Sequence, residues 1–205
     1  MTGQIVIVDY GMSNIHSVNK KLLRIGATAI VTSDPKIVSE ADKIVLPGVG
    51  HFAKAMYNLR NLGLVEALSE FALVRRKPIL GICLGMQVMA SYGEEGEMDG
   101  LGWINGRVVR FRFKPDVVLK IPHIGWNQAL AQKESLMMKD IPDNSEFYFL
   151  HSYHYNPECQ DTLTATEYGY TFPSAIEKEN IFGVQFHPEK SHDAGEQLLR
   201  NFVLL

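Results

Sequence analysis

The chain has 205 residues, of which 46% are hydrophobic and 21% are charged, with a formal net charge of −3. This length predicts a single domain, residues 1–205, that is large enough to bury its own core. The small net charge gives no reason to expect nucleic acid or an anionic membrane as a partner. The two cysteines, Cys83 and Cys159, cannot form a disulfide framework, so we expect a reducing, cytoplasmic compartment. The sequence shows neither a secretory signal pattern nor an apolar run long enough to cross a bilayer.

Strands and helices alternate in the first half of the predicted structure. Apolar runs predict strands at 5–8, 29–32, 43–46 and 79–82. Helical spacing predicts helices at 15–25, about 52–62, about 64–74 and from Cys83 through about Ser91. This alternation is typical of an α/β fold with a doubly wound, mostly parallel sheet and helices on both of its faces.

The second half of the chain has a different sequence pattern, which favours strands over helices. Short segments rich in β-branched and aromatic residues predict strands at 103–111, 117–121, 146–150, 162–168, 173–178 and 181–186. We expect them to form β-hairpins beside the main sheet or continuing it. A last helix is predicted to present Leu198, Leu199 and Phe202 on one side.

Cys83 stands between two glycines at the end of an apolar strand, in Gly81-Ile82-Cys83-Leu84-Gly85. Glycines on either side permit the sharp turn that lifts a nucleophile to the top of a sheet. Backbone N–H groups at the start of the next helix would then face the group under attack. The pattern suggests acyl transfer through a thioester. Within this segment alone, a cysteine that merely packs in the core would look the same.

A cysteine nucleophile needs a base, and the base needs an orienting partner. His187 follows the predicted strand 181–186, and Pro188 restricts it to extended geometry. Glu189 can turn back to accept a hydrogen bond from the imidazole. Taken by itself, His187-Pro188-Glu189 could also be a plain surface turn.

A second glycine loop, Pro47-Gly48-Val49-Gly50, follows the third strand. Its backbone N–H groups can bind an anion, and the Val49 N–H beside the Leu84 N–H would suit an oxyanion site. Together with Ala53 the loop also fits a loose dinucleotide-binding pattern. It follows the third strand rather than the first, however, which disfavours a nucleotide.

Other candidates have simpler explanations. His151 and His154 could be read as a metal pair, but no second ligand cluster with zinc spacing accompanies them, so we expect neither metal nor cofactor. The run Phe147-Tyr148-Phe149 reads as core strand. Trp126, expected on a turn after Pro122-His123-Ile124-Gly125, is kept as a candidate contact residue.

Three segments together resemble, in order and spacing, those of the class I glutamine amidotransferases. They are the glycine loop, the cysteine turn with Gln87, and Gln185-Phe186-His187-Pro188-Glu189. Four further segments narrow the resemblance to the glutaminase subunits of imidazole glycerol phosphate synthase. They are Asp9-Tyr10-Gly11, Pro122-His123-Ile124-Gly125-Trp126-Asn127, Tyr148-Phe149-Leu150-His151-Ser152-Tyr153 and His187-Pro188-Glu189-Lys190-Ser191. The likeness runs essentially end to end.

The resemblance implies that Cys83 attacks the side-chain amide of glutamine, with His187 moving the proton and Glu189 orienting His187. It also implies an oxyanion and substrate site, made by Gly48, Val49, Gly50, Leu84, Gln87, His151, Ser152 and Tyr153. Because ammonia must be passed on before it is protonated, the family pattern further implies a docked (βα)₈-barrel cyclase subunit. The surface implied for that partner includes Asn14, Trp126, Tyr148 and Lys190.

Other functions stay open at the level of sequence. His192-Asp193 departs from the glycine or serine usual after Glu189-Lys190-Ser191. It resembles amidotransferases that serve a sugar-modifying, acetamidino-forming synthetase in the making of surface polysaccharides. A non-catalytic docking module and a cysteine peptidase are further alternatives. The complete set of Cys83, His187 and Glu189 disfavours the first, and Gln87 and the Trp126 segment would have no role in the second.

Overall fold

The computed structural model describes residues 3–156 and 159–205. Eight of its strands form one main sheet. They are β1 Ile5–Val8, β2 Ala29–Thr32, β3 Lys43–Gly48, β4 Ile79–Cys83, β9 Leu130–Ala131, β12 Thr162–Glu167, β13 Thr171–Lys178 and β14 Ile181–Val184. Their order is β2-β1-β3-β4-β14-β13-β12-β9. The first five strands run parallel and the last three antiparallel, so the C-terminal strands extend the parallel sheet as expected.

Two smaller sheets pack beside the main one. An antiparallel ribbon pairs β8, His123–Gln128, with β10, Glu146–His151. The other sheet has the order β11-β7-β5-β6, with bounds Tyr153–Tyr155, Ile104–Arg110, Ala90–Gly93 and Met98–Asp99. The β8–β10 ribbon matters for function because it lies across from the ends of the parallel strands, where His187 N–H donates to the carbonyl oxygen of Tyr148 at 2.9 Å.

Helices cover both faces of the main sheet, which confirms the predicted fold class. They are α1 Ile15–Arg24, α2 Pro35–Glu40, α3 Phe52–Asn61, α4 Leu64–Ser69 with a π-helical turn Glu70–Val74, α5 Leu84–Gln87 and α6 His192–Leu204, with 3₁₀ turns at Leu136–Met138 and Pro188–Lys190. The alternation of β1 shows the two layers directly. Ile5 and Ile7 pack in the cluster of α1 and α6, whereas Val6 and Val8 pack in the cluster of α3 and α4. No helix among the described residues is both long and apolar enough to cross a membrane.

Several predicted elements are wrong. The helix predicted from Cys83 to about Ser91 ends at Gln87, and strand β5 begins at Ala90. Residues 88–90 are fully buried, and a short buried apolar run has no periodicity that separates helix from strand. No strand forms at 117–121. Trp126 lies on strand β8 and not on a turn.

Candidate active site

Parallel pairing brings the ends of three strands together at one edge of the main sheet. The register places Gly48 of β3 opposite Cys83 of β4, and Ile82 opposite Val184 of β14. Gln185, the next residue after β14, therefore lies level with Cys83. Ligand sites of open α/β sheets form at this edge, outside the carboxyl ends of the strands.

Cys83 lies on a sharp turn that the neighbouring glycines make possible. Its backbone has φ +53° and ψ −109°, a conformation that a non-glycine residue rarely adopts and that costs about 1–3 kcal/mol. A Cβ on Gly81 would meet the backbone of Gly85 and Met86 at 2.6 Å, and a Cβ on Gly85 would overlap the carbonyl oxygen of Leu46. The turn is thus held by backbone packing that excludes side chains at both glycines.

The thiol of Cys83 is largely enclosed. Only 7% of the residue is exposed. The side-chain amide of Gln185 approaches Sγ at 3.7 Å, and the carbonyl oxygen of Leu150 lies 4.0 Å from it. Gln185 was not among the residues predicted for the site, although it stands in the motif that contains His187.

His187 and Glu189 form a buried pair. Nδ1 of His187 lies 2.9 Å from Oε1 of Glu189, and both side chains are 2% exposed. Because a carboxylate only accepts, Nδ1 carries the proton and Nε2 is left for other chemistry. The Ser191 hydroxyl donates to the His187 carbonyl at 2.6 Å, which fixes the backbone of the 3₁₀ turn.

Nε2 of His187 is buried and has no hydrogen-bond partner among the described residues. Cys83 nevertheless influences the protonation of the ring. Burial opposes protonation of His187, but Cys83 and Glu189 favour it more strongly, and the net result raises the pKa of His187 to about 9. The His187 side chain is therefore suited to exchange a proton with a reacting group at Cys83.

A pocket of about 250 Å³ opens at Cys83. Its walls are Val49, Gly50, Cys83, Leu84, Gln87, Glu95, Pro122, Leu150, His151, Ser152 and Tyr153. The structure therefore gathers seven of the eight residues predicted for the oxyanion and substrate site, and the eighth, Gly48, lies directly below as the register partner of Cys83. Glu95, the one acidic side chain in the lining, was missed because nothing in its Gly-rich surroundings pointed to this pocket.

The Val49 N–H, predicted as an oxyanion donor, is engaged elsewhere in this conformation. It donates to the carbonyl oxygen of Met12 at 2.6 Å. A backbone N–H that is already donating to a carbonyl cannot also stabilise a charge at Cys83. The Leu84 N–H opens helix α5 and has no acceptor within the helix, so it remains suitable.

The residues predicted to face a partner lie outside the lining of the pocket at Cys83. Asn14 lies near Val49 and His187 in a small cleft. Trp126 and Tyr148 are register partners on the β8–β10 ribbon, and the Lys190 ammonium lies 5.6 Å from the centre of the Tyr148 ring. The Trp126 indole stacks on His192 with ring centres 4.7 Å apart and the planes 1° from parallel.

The two histidines considered as a metal pair have other contacts. Nδ1 of His154 lies 2.6 Å from the carbonyl oxygen of Tyr155, and its Nε2 lies 2.7 Å from the hydroxyl of Tyr170. His151 contacts His123 and Tyr153 instead. Among residues 3–156 and 159–205, no group of three or more potential metal-binding side chains comes together.

Comparisons with known proteins agree with this geometry. The sequence model described as class-I glutamine amidotransferase matches residues 6–205. The chain is 45% identical to imidazole glycerol phosphate synthase subunit HisH 2 of Methanococcus maripaludis over 97% of this chain and 98% of that protein. It is 46% identical to subunit HisH 2 of Pseudomonas aeruginosa, with 98% and 99% covered, and 47% identical to subunit HisH of Sulfurimonas denitrificans, with 97% of each covered.

Solved structures show the same fold at lower identity. A crystal structure described as glutamine amidotransferase superposes with a TM-score of 0.75 at 15% identity, covering 97% of each chain. The structure of PurLQS from Thermotoga maritima gives 0.74 at 16% identity, covering 100% of this chain and 99% of that one. On the sequence match over nearly its whole length, the chain belongs to the class I glutamine amidotransferases, among the HisH subunits of imidazole glycerol phosphate synthase.

Proposed function

We propose that this protein is a glutaminase subunit that releases ammonia from glutamine and passes it to a synthase partner. The observation that carries the proposal is Cys83, held on a strained turn beside the buried His187–Glu189 pair. A strained nucleophile next to an oriented base is the arrangement that covalent acyl transfer requires. The membership of the chain in the amidotransferase family supports glutamine as the acyl donor.

In the first half-reaction, the Cys83 thiolate attacks the side-chain carbonyl carbon of glutamine. The carbonyl oxygen becomes an oxyanion, and the backbone N–H of Leu84 donates to it. When the C–N bond breaks, the His187 imidazolium gives its proton to the departing nitrogen, so that ammonia leaves and a γ-glutamyl thioester remains. Glu189 keeps His187 in the tautomer that presents Nε2.

In the second half-reaction, water attacks the thioester carbonyl. His187, now neutral, takes a proton from that water and returns to the imidazolium as the C–S bond breaks. Glutamate and the Cys83 thiolate are the products. No metal or cofactor enters either step of the proposal.

The pocket offers groups that suit the amino-acid end of glutamine. The Glu95 carboxylate can pair with the α-ammonium, and it is already held in place by the Phe52 N–H at 2.8 Å. Ser152 and the backbone of His151 and Tyr153 line the same wall and can contact the α-carboxylate. Gln87 lies deeper, beside Cys83, where it can contact the substrate.

The engagement of the Val49 N–H with Met12 gives a reason for dependence on a partner. Loss of one oxyanion donor typically slows such reactions about 10²–10³-fold. A partner whose ligand favours a reoriented Val49 peptide would supply that donor only when ammonia is needed. The isolated subunit is then a slow glutaminase.

We place the partner over the opening of the pocket, on the outer face of the β8–β10 ribbon. The exposed side of that ribbon carries apolar side chains where an isolated ribbon would be polar, and Val49 lies beside them. The exposed fractions are 38% for Val49, 58% for Ile124, 43% for Trp126 and 38% for Leu150. The names of the relatives indicate a multi-subunit synthase, and we propose a (βα)₈-barrel cyclase that makes imidazole glycerol phosphate and AICAR in histidine biosynthesis. A free thiol at Cys83 and this pathway both support a cytoplasmic location for the protein.

Glutamate release tests the proposal. Purified protein should release little glutamate from glutamine, and the cyclase subunit with its nucleotide ligand should raise the rate about 10²–10³-fold. Vigorous hydrolysis by the subunit alone, unchanged by the partner, would contradict the coupled reaction. Absence of hydrolysis with every partner would contradict the glutaminase itself.

A second acceptor is favoured by one observation. Four relatives at 45–46% identity carry the numeral 1 or 2 in their names, which distinguishes subunits of the same name. The alternative is a glutaminase partner of an acetamidino-forming synthetase in surface polysaccharide biosynthesis. Co-purification from the native cell distinguishes the two, because it identifies the synthase that is bound.

A further inference from the structure

A row of buried histidine hydrogen bonds runs along the inner face of the β8–β10 ribbon to the glutamine pocket. His123 and His151 are register partners, so their side chains lie next to each other. Nδ1 of His123 lies 3.1 Å from Nε2 of His151. Nδ1 of His151 lies 2.8 Å from the carbonyl oxygen of Tyr153, which belongs to the pocket wall.

The groups at the two ends of the row, the Tyr153 carbonyl and the Asn127 amide, determine which histidine nitrogens donate and which accept. The Tyr153 carbonyl only accepts, so His151 carries its proton on Nδ1, and in a neutral ring its Nε2 must accept from His123. The bare Nε2 of His123 then lies 3.4 Å from Nδ2 of Asn127. Independently, the Asn127 amide is oriented by the Gln128 N–H, which donates to its Oδ1 at 2.9 Å, and by the carbonyl oxygen of Glu167, which accepts from Nδ2 at 2.9 Å. The second hydrogen of Nδ2 can then be directed towards His123.

The neutral form of both rings agrees with their surroundings. Burial lowers the pKa of His123 to about 4 and lowers the pKa of His151 well below its usual value. Aromatic rings enclose His123, with Tyr168 stacked at 3.9 Å and Phe149 at 4.8 Å between ring centres. A charge buried among these rings would lose the hydration that stabilises it in solution.

On its other side, the Tyr153 carbonyl orients the amide of Gln87. Nε2 of Gln87 donates to that carbonyl at 2.8 Å and to Oε1 of Gln185 at 3.0 Å. Gln185 in turn donates to Sγ of Cys83 at 3.7 Å. Because both amide hydrogens of Gln87 are used, the atom it can offer to a bound ligand is Oε1, an acceptor.

We propose that His123 is a positioning residue for glutamine binding, which acts through His151 and the Tyr153 carbonyl on the amide of Gln87. His123 does not itself line the pocket. Its N–H holds His151 in the tautomer that donates to Tyr153, and the carbonyl of Tyr153, with both lone pairs used, keeps Gln87 turned so that an acceptor faces the substrate. This inference rests on the proposed glutaminase activity.

Three substitutions at His123 separate the hydrogen bond from the shape of the ring. His123→Asn places an amide nitrogen near the position of Nδ1, so it can still donate to His151. His123→Phe keeps the aromatic stack but has no N–H. His123→Gln places its amide near the position of Nε2, out of reach of His151, and serves as a second donor-deficient variant if His123→Phe fails to fold.

Glutamine binding is measured by calorimetry in a Cys83→Ser background, which keeps an acceptor for Gln185, and KM and kcat are measured with Cys83 intact and the synthase partner bound. Leaving the His151 acceptor unsatisfied should raise Kd and KM about tenfold or more in His123→Phe and His123→Gln, with a much smaller change in kcat. His123→Asn should recover most of the affinity. Long-range ¹⁵N spectra of the wild type should show His151 protonated on Nδ1.

Unchanged affinity in the donor-deficient variants would overturn this inference alone, as would a His151 protonated on Nε2. Equal losses in His123→Asn and His123→Phe would show that only ring packing matters, and would also overturn it. If wild-type protein binds no glutamine, the inference and the proposed function both fail.

Discussion

Two loops meet at the Cys83 thiol, and they differ in how complete they are. At the turn that ends β4, the strained backbone is already formed and His187 is already paired with Glu189. In the loop that ends β3, the Val49 N–H is turned away and donates to Met12. In the proposed reaction, this difference corresponds to a nucleophile that is already positioned and an oxyanion donor that is not yet available.

The physical basis of the difference is packing. Gly81 and Gly85 lie against backbone on both sides of Cys83, so the turn has nowhere to move. Gly50, by contrast, has φ +108° and can absorb a change in the direction of the peptides next to it. A partner can therefore act on the β3 loop without disturbing the nucleophile.

The largest expected effect comes from removing the Cys83 thiol. Cys83→Ala should lower glutamate release about 10³-fold or more, because no thioester can form. Cys159→Ala is the matched control: Cys159 is also buried and free, but it lies outside the pocket, so activity should persist. Glutamate release with the partner bound measures both. Activity surviving in Cys83→Ala would remove the nucleophile from the proposal.

The second prediction concerns the Val49 N–H, which donates to Met12 in this conformation. Val49→Pro removes the N–H and should cancel the stimulation by the partner, a loss of about 10²–10³-fold in the stimulated rate. Val49→Ala keeps the N–H and should remain stimulated, which controls for the loss of the side chain. Rates are compared with and without the partner and its ligand. A stimulated Val49→Pro would show that another donor completes the oxyanion site.

The third prediction tests the raised pKa of His187 at the Cys83 turn. With a pKa of about 9 in the folded protein against 6.5 in a model peptide, His187 contributes stability that is fully present below about pH 6.5 and is lost as the pH rises through about 9. The shift corresponds to roughly 3 kcal/mol. Glu189→Gln removes the negative charge that favours the imidazolium, so the pKa of His187 should fall.

NMR titration of His187 and thermal unfolding between pH 6 and 10 measure this effect. The wild type should lose stability across that range, and Glu189→Gln should lose less because its His187 titrates lower. His151, whose pKa is lowered by burial, serves as an internal comparison that stays neutral throughout. A pKa of His187 near 6.5 in the wild type would argue against the imidazolium.

The sequence was sufficient for the parallel strands of the first half and for five of the six strands predicted in the second half. It was insufficient for the shorter elements between them. The buried strands β1, β3 and β4 were predicted to within two residues at each end, because continuous apolar runs bounded by turn residues are a local signal. Helix α2 was missed although Asp34 caps it and Pro35 begins it, which are recognisable start signals. The ribbon strand β8 was read as a turn because Gly125 interrupts it.

The residues of the site likewise differ in whether a local sequence signal marks them. Glycines next to Cys83 and a proline after His187 are visible locally, and they led to the residues that the structure brings together. Glu95 and Met12 carry no such signal, because each reaches the site through contacts distant in sequence, and Gln185 stands in the His187 motif but contacts Cys83 only through the pairing of β14 with β4. His123 belongs to one of the segments that carry the family resemblance, but the hydrogen bond that gives it a role depends on strand register.

The smallest expected effect probes the surface through which a partner would complete the β3 loop. Trp126→Ala should weaken binding of the synthase about tenfold or more, because a large, half-exposed aromatic side chain is typical of a binding hot spot. Stability of the isolated subunit should change by only about 1 kcal/mol, through loss of the stacking on His192.

Leu136→Ala is the matched control. Leu136 is also an exposed apolar residue, at 65%, but it begins the 3₁₀ turn Leu136–Met138 and lies outside the ribbon. Surface plasmon resonance with the immobilised synthase measures both variants. If Trp126→Ala binds as the wild type does and keeps its stimulation, the ribbon is not the docking face, and the reorientation of Val49 must be driven from the side of Met12 and Asn14.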